Sequence, residues 1–99
     1  MNSKILKDIA THKAILLDVR RDEEWNITHA KGAQHFDVAR LSLGEVPTFT
    51  FETQIYTYCH SGTRSEEAVK LLVQMGYKNV ISIGGLNDWM NAGGEIIAP

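Results

Sequence analysis

The stretch Tyr58-Cys59-His60-Ser61-Gly62-Thr63-Arg64-Ser65 follows a strand-like run and opens into a strongly helical segment. It places the only cysteine of the chain at the end of that strand, directly before a short loop that contains Gly62 and Arg64. A strand, a tight loop and a helix in this order are a building unit of parallel α/β sheets. This stretch therefore indicates both the fold class and the place where chemistry is expected.

The start of the following helix makes Cys59 a candidate nucleophile. The first N–H groups of a helix have no intrahelical partner, and the helix dipole adds partial positive charge there. A curled loop supplies further amides, and Gly62 provides the freedom to adopt a positive φ. Because such surroundings and a nearby arginine lower a thiol pKa that is normally about 8.5, we expect a thiolate at Cys59.

The flanking segments predict alternating helices and strands. On the amino-terminal side we predict a helix from Ser3 to Ala10, a strand from Ala14 to Val19 buried on both faces, a short helix from Arg21 to Thr28, a turn and brief strand from Gly32 to Phe36, and a helical turn and loop from Asp37 to Thr53. Gln54 to Tyr58 is then the strand that delivers Cys59 to its loop.

The carboxyl-terminal side continues the alternation. Thr63 and Glu66 have the spacing of a capping box, and a helix with a broad apolar face ends at Gly76. We then predict a strand from Asn79 to Ile83, a tight turn at Gly84-Gly85 close to the cysteine loop, and a short helix from Leu86 to Ala92. The pattern predicts an α/β fold, a small open parallel sheet of four to five strands flanked by helices, with ligands beyond the carboxyl ends of its strands.

Length, charge and composition restrict the function classes. With 99 residues, 43% hydrophobic and 22% charged, the chain is expected to form one globular domain over residues 1–99. A net charge of -2 gives no reason to expect nucleic acid or a membrane as partner. A single cysteine excludes an intrachain disulfide, and the four histidines lack metal-ligand spacing, so we expect no metal or other cofactor.

The first residues, Met1 to Lys13, alternate polar and apolar side chains and contain no continuous apolar run. They therefore resemble neither a signal peptide nor a membrane span, and a cytoplasmic protein is the default interpretation. An exported protein whose signal has been removed would have the same sequence pattern.

Four segments in register resemble the rhodanese family of sulfurtransferases. They are Leu16-Leu17-Asp18-Val19-Arg20 with Glu24-Trp25, then His29-Ala30-Lys31-Gly32-Ala33, then Tyr58 to Ser65, and finally Gly84-Gly85-Leu86 through Trp89 to Ala92-Gly93. The family often has a short edge strand before the first helix, which has no clear counterpart here. This departure favours a sheet of four strands over one of five.

The resemblance implies a persulfide mechanism. Cys59 would be catalytic, attacking the sulfane sulfur of thiosulfate or a similar donor and passing it to cyanide or to a thiol, including the thiol of a protein. The amides of residues 60 to 64 would hold the terminal sulfur, and Arg64 would orient the loop and receive the anionic donor. The substrate-binding residues implied are His60, Ser61, Gly62, Thr63 and Arg64, with the direction of the His60 side chain left open.

Two alternatives to a thiosulfate sulfurtransferase remain. One is a persulfide carrier or sulfur-sensing module loaded by a protein partner. The other is a cysteine-based phosphatase of similar layout, although related phosphatases place five residues between cysteine and arginine and only four separate Cys59 from Arg64. The tighter loop favours a single sulfur atom over a tetrahedral phosphate.

The remaining polar and aromatic residues are given structural roles. We expect Asp18, Arg20 and Glu24 to form one ion-paired cluster that ties a strand end to the next helix. His29 and His35 are expected to be hydrogen-bonded packing residues, since thiolate attack on sulfane sulfur needs no proton abstraction. Trp25 and Trp89 are expected to be anchors in or beside the core.

Overall fold

Helices and strands alternate along the chain in the computed structural model, which describes residues 3–99. The helices are α1 Ser3–Ala10, α2 Asp22–Ile27, α3 Val38–Ser42, α4 Thr63–Met75 and α5 Leu86–Asn91. The strands are β1 Ala14–Asp18, β2 His29–Ala30, β3 Gln34–His35, β4 Gln54–Cys59, β5 Asn79–Gly85 and β6 Ile96–Ile97. Within this described part, none of the helices combines the length and the apolar character needed to cross a membrane.

The main sheet has four parallel strands in the order β3-β1-β4-β5. The predicted open parallel sheet is therefore confirmed, with four strands and not five. Strand β4 lies inside the sheet, between β1 and β5, with Leu16 opposite Tyr56 in the register. The carboxyl end of β4 carries Cys59, which is the end where parallel α/β sheets bind their ligands.

Each face of the sheet carries its own hydrophobic cluster. Successive side chains of a strand point to opposite faces, so β4 sends Ile55 and Cys59 to one side and Tyr56 and Tyr58 to the other. The first cluster includes Ala68 and Leu72 of α4, and the second includes Ile9 of α1 and Trp89 of α5. Cys59 is thereby directed towards α4.

Three local details differ from the sequence prediction. Helix α4 begins at Thr63 with Gly62 as its N-cap and no side-chain cap, so the predicted capping box of Thr63 and Glu66 is wrong. Strand β5 continues through Gly85, where a turn was expected to begin at Gly84. A two-stranded antiparallel sheet of β2 and β6 was not predicted, because two-residue strands are too short to show a period.

Candidate active site

Cys59 is the last residue of β4 and one of the most deeply buried side chains, with 1% of its surface exposed. It is a free thiol within the cluster that packs under α4. Its side chain lies at the floor of the loop that connects β4 to α4. The backbone amides of this loop therefore form the immediate surroundings of the sulfur.

The loop turns sharply at Gly62, whose φ of 106° lies in the left-handed region. This confirms the positive φ expected at Gly62, a conformation that other residues rarely adopt. The turn aims the Gly62 amide at the cysteine, and this N–H donates to Sγ over 3.0 Å. The amide of Ser65, in the first turn of α4, donates to the same sulfur over 3.4 Å. Two backbone donors thus converge on Sγ at a helix N-terminus.

These contacts determine the ionisation of the thiol. Burial is the largest single influence and raises the pKa of Cys59, but hydrogen bonds from the Ser65 and Gly62 amides, the Ser65 hydroxyl and the Ser61 amide together lower it by more. The pKa of Cys59 is therefore lower than that of an ordinary cysteine. The thiolate form is favoured in a place where burial alone would keep the proton on sulfur.

Ser65 braces the loop from below, and sequence reasoning missed this residue. Its hydroxyl lies 2.9 Å from the Gly62 carbonyl oxygen, 2.6 Å from Ser82 Oγ and 3.2 Å from the Gly84 carbonyl oxygen. A hydroxyl has one proton to donate, so it can serve only one of these acceptors at a time, and in the contact with Ser82 either hydroxyl can be the donor. The available signal was the position of Ser65 in the first helical turn after the loop, where amides point back towards Cys59.

The end of β5 presses against the same loop. A Cβ atom added at Gly85 would lie 2.1 Å from the His60 carbonyl oxygen, and one added at Gly62 would lie 3.6 Å from Gly84 Cα. The expected closeness of Gly84 and Gly85 to the cysteine loop is confirmed. Gly85 is needed here because the backbones approach too closely for any side chain.

Three predicted loop residues face outwards. His60, Ser61 and Thr63 are exposed. Ser61 and Thr63, with Gly62 between them, line a depression of about 390 Å³ that also contacts Glu66, Ser82 and Asp88. The side chains of His60, Ser61 and Thr63 therefore lie on the outside of the loop, while the backbone of the loop faces Cys59.

Arg64 forms an ion pair with Glu24. Its Nη1 donates to Glu24 Oε1 over 2.6 Å and its Nη2 donates to Glu24 Oε2 over 3.0 Å. The hydrogen bond from Arg64 lowers the pKa of Glu24 to about 2, and the hydrogen bond to Glu24 raises the pKa of Arg64. Both charges are therefore present at neutral pH. The predicted ion-paired cluster of Asp18, Arg20 and Glu24 is therefore wrong for Glu24, which pairs with Arg64.

Asp18 and Arg20 form a separate, fully enclosed pair. Arg20 Nη2 donates to Asp18 Oδ2 over 2.7 Å, and both side chains are at most 4% exposed. The Tyr58 hydroxyl donates to the same carboxylate over 2.5 Å and accepts from the Ala30 amide. Burial, followed by the hydrogen bond to Asp18, raises the pKa of Tyr58. This network fixes the carboxyl ends of β1 and β4 next to the loop.

The two histidines near this network pack as expected. His29 stacks on Trp25 with ring centroids 3.4 Å apart, and its Nδ1 lies 2.9 Å from the Trp25 carbonyl oxygen. His35 Nε2 lies 2.6 Å from the Arg20 carbonyl oxygen. Among residues 3–99, no group of three or more His, Cys, Asp or Glu side chains is arranged to hold a metal ion.

Known proteins are similar to this chain in sequence and in architecture. The family model of the rhodanese-like domain matches residues 2–92. Thiosulfate sulfurtransferase GlpE of Actinobacillus succinogenes is 38% identical over 87 residues, which cover 86% of this chain and 77% of that protein. The Bacillus subtilis protein YrkF, provisionally named a sulfur carrier protein, is 39% identical over 79 residues, which cover 75% of this chain and 40% of that protein.

A solved structure gives the same result for the fold. The Rhodanese_3-like domain of the Alr3790 protein from Anabaena superposes with a TM-score of 0.77 at 28% identity, and the match covers 85% of this chain and 98% of that domain. The sequence match, the four-stranded parallel sheet and the cysteine loop at its carboxyl edge agree with one another. This chain belongs to the rhodanese-like domain family and is a sulfurtransferase of the rhodanese type.

Proposed function

We propose that Cys59 is the catalytic nucleophile of this sulfurtransferase. It takes a sulfane sulfur from thiosulfate or a similar donor and passes it to cyanide or to a thiol acceptor. The observation that carries the proposal is the convergence of the Gly62 and Ser65 amides on Sγ, which favours a thiolate. Activation by oriented donors is how a buried thiol becomes a nucleophile at neutral pH.

The reaction proceeds in two displacements on sulfur. The Cys59 thiolate attacks the outer sulfur of thiosulfate, a new S–S bond forms at Sγ, and sulfite leaves with the electron pair of the broken bond. The resulting Cys59 persulfide then transfers its outer sulfur to cyanide as thiocyanate, or to a thiolate as a new persulfide. The Cys59 thiolate is regenerated, and neither step needs a redox cofactor or a base.

The loop holds the charged intermediate. In the proposal the amides of residues 60 to 64 surround the terminal sulfur, with His60, Ser61, Gly62, Thr63 and Arg64 forming the substrate-binding loop. The Ser65 amide joins them, since it already donates to Sγ. Preorganised amides stabilise developing negative charge without having to reorient during the reaction. The whole chain, residues 1–99, is proposed to act as one domain.

A second candidate function is a persulfide carrier or sulfur-sensing module loaded by a protein partner. The observation that favours it is the pairing of Arg64 with Glu24, because a guanidinium bound to a carboxylate is less available to an anionic small molecule. The similarity to YrkF points in the same direction. In this case thiosulfate turnover is slow, and loading from a protein persulfide is fast.

Intact-protein mass after incubation with thiosulfate tests the proposed nucleophile. The wild-type chain is expected to gain one sulfur atom, and Cys59→Ser and Cys59→Ala are expected to gain none and to lose turnover while remaining folded by circular dichroism. Sulfur transfer retained in either variant contradicts the proposal. Release of phosphate from an aryl phosphate that is lost in Cys59→Ser would instead identify a phosphatase.

A further inference from the structure

Arg64 is the cation closest in sequence to Cys59, and its charge is neutralised by Glu24. It lies in the first turn of α4, where the Cys59 thiolate is one of the charges that raise its pKa. Both terminal nitrogens of its guanidinium nevertheless donate to Glu24, at 2.6 and 3.0 Å. A bidentate pair of this kind holds the guanidinium in one orientation, occupies two of its five N–H donors and offsets its charge.

Glu24 is itself held in place from the other side. It lies in the first turn of α2, and its Oε1 also accepts a hydrogen bond from the Arg21 amide over 3.2 Å. Its side chain is 31% exposed and that of Arg64 is 32% exposed, so water screens the pair only in part. The carboxylate is thus held in place by hydrogen bonds from two directions, the Arg64 guanidinium and the Arg21 amide.

The charged groups near the Arg64–Glu24 pair are mostly negative, so they do not compensate for the neutralised charge of Arg64. The depression of about 280 Å³ beside Arg64 is lined by Arg21 and by the carboxylates of Asp22, Glu23 and Asp37. The depression on the other side of the loop contains Glu66 and Asp88 and no basic residue. Five carboxylates and two guanidinium groups therefore line the two depressions.

We propose that Glu24 is a specificity-determining residue which, by neutralising Arg64, disfavours the thiosulfate dianion and favours sulfur donors without net negative charge. This inference rests on the proposed function and names the donor class: a persulfide on a neutral or cationic carrier. Thiosulfate brings two negative charges towards a thiolate, whereas the persulfide of a cationic thiol brings a group that the surrounding carboxylates attract. Attack on that persulfide breaks its S–S bond and releases the carrier thiolate, so the atoms and electrons balance as they do with thiosulfate.

Glu24→Gln tests the proposal, because glutamine carries no charge and its one amide oxygen can still accept from Arg64 Nη1 and from the Arg21 amide, although the bond from Arg64 Nη2 is lost. The measurement is kcat/KM for sulfur transfer to cyanide from thiosulfate and from cysteamine persulfide, whose ammonium group leaves it without net negative charge, at several salt concentrations. Removing one charge about 8 Å from a dianion in a water-like dielectric predicts an increase of about five-fold for thiosulfate at low salt. The increase should appear in KM, shrink as salt is added, and be absent or reversed for cysteamine persulfide.

Two further variants separate charge from structure. Glu24→Asp keeps the charge and is expected to keep the wild-type donor preference. Glu52→Gln removes an exposed carboxylate at the opposite end of β4, where it pairs only loosely with Lys78 at 3.7 Å, and is expected to leave both donors unaffected. If Glu24 merely braces the loop, Glu24→Gln lowers the rates with both donors alike and independently of salt, which would overturn the proposal.

The failure of the proposed function has a different signature. In that case the wild-type chain gains no sulfur by intact mass from either donor, and the inference about Glu24 falls with it. If the chain is loaded by both donors but wild-type and Glu24→Gln show the same ratio of thiosulfate to cysteamine persulfide kcat/KM, only the inference about Glu24 is refuted.

Discussion

Replacing Gly85 by alanine is the sharpest test of how the cysteine loop is supported. The added Cβ would lie 2.1 Å from the His60 carbonyl oxygen and 3.3 Å from the Ser61 amide nitrogen. Both contacts are with backbone, so no flexible side chain can move out of the way. The Gly85 φ of -106° is allowed for alanine, and the hydrogen bond from the residue 85 amide to Asp88 can remain, so the effect is steric.

The geometry sets the size of the effect. The gap between Cβ and the His60 oxygen has to open by about 1.3 Å to reach ordinary contact at 3.4 Å. Overpacking of this kind costs about 1–3 kcal/mol of stability, which a folded domain can tolerate. A displacement of about 1 Å in a catalytic loop costs on the order of 100-fold in rate. We therefore expect Gly85→Ala to lose far more activity than stability.

The assay is urea unfolding combined with kcat/KM for sulfur transfer, compared with Gly94→Ala. A Cβ added at Gly94 would lie 2.2 Å from the Trp89 ring, a clash of similar severity in a cluster on the other face of the sheet. Gly94→Ala should lose stability and keep its activity per folded molecule. Wild-type kcat/KM in folded Gly85→Ala would refute the account of the loop given above.

Three further predictions concern the charges and hydrogen bonds around the loop. The pKa of Cys59 is lowered, so its alkylation by iodoacetamide should begin at lower pH than that of free cysteine. Ser65→Ala removes the hydroxyl hydrogen bond that helps to lower this pKa, so the pH profile of alkylation should shift back towards alkaline pH. Tyr58→Phe should cost about 1–3 kcal/mol in urea unfolding, because the buried Ala30 amide loses its acceptor and Asp18 loses one donor. The pKa of Glu24 falls from 4.5 to about 2 on folding, so the stability that it contributes is complete above pH 4.5 and is lost as the pH falls towards 2. Acid titration followed by circular dichroism should show this loss of stability in the wild-type chain and a flatter curve in Glu24→Gln. Identical curves would contradict the stabilising role of the Glu24 carboxylate.

Local sequence signals were sufficient for the elements that carry the site. The apolar run ending at Asp18 predicted an inner strand, and the loop after Tyr58 predicted a helix N-terminus beside Cys59, both of which the structure contains. Gly76 was predicted to end α4, and it has a φ of 116° there. Each of these features depends on residues adjacent in the chain, where periodicity and backbone preference act directly.

The partners that come from distant parts of the chain could not be predicted in the same way. Glu24 meets Arg64 across 40 positions, and the Ser65 hydroxyl meets Ser82 across 17. Glu24 was grouped with Asp18 and Arg20 because they are close in sequence, but α2 turns its first residues towards α4. The pairing of β2 with β6 joins His29 to Ile97 and depends equally on the completed fold.

The support that Ser65 receives from β5 also links activation of the thiol to completion of the fold. Ser82 and Gly84 leave the ribosome more than twenty residues after Cys59, and they can brace Ser65 only after β5 has docked beside β4. Parallel pairing of this kind is non-local and forms late. The Gly62 and Ser65 amides are therefore fully supported only in the completed fold, so activation of the thiol depends on the carboxyl-terminal part of the chain.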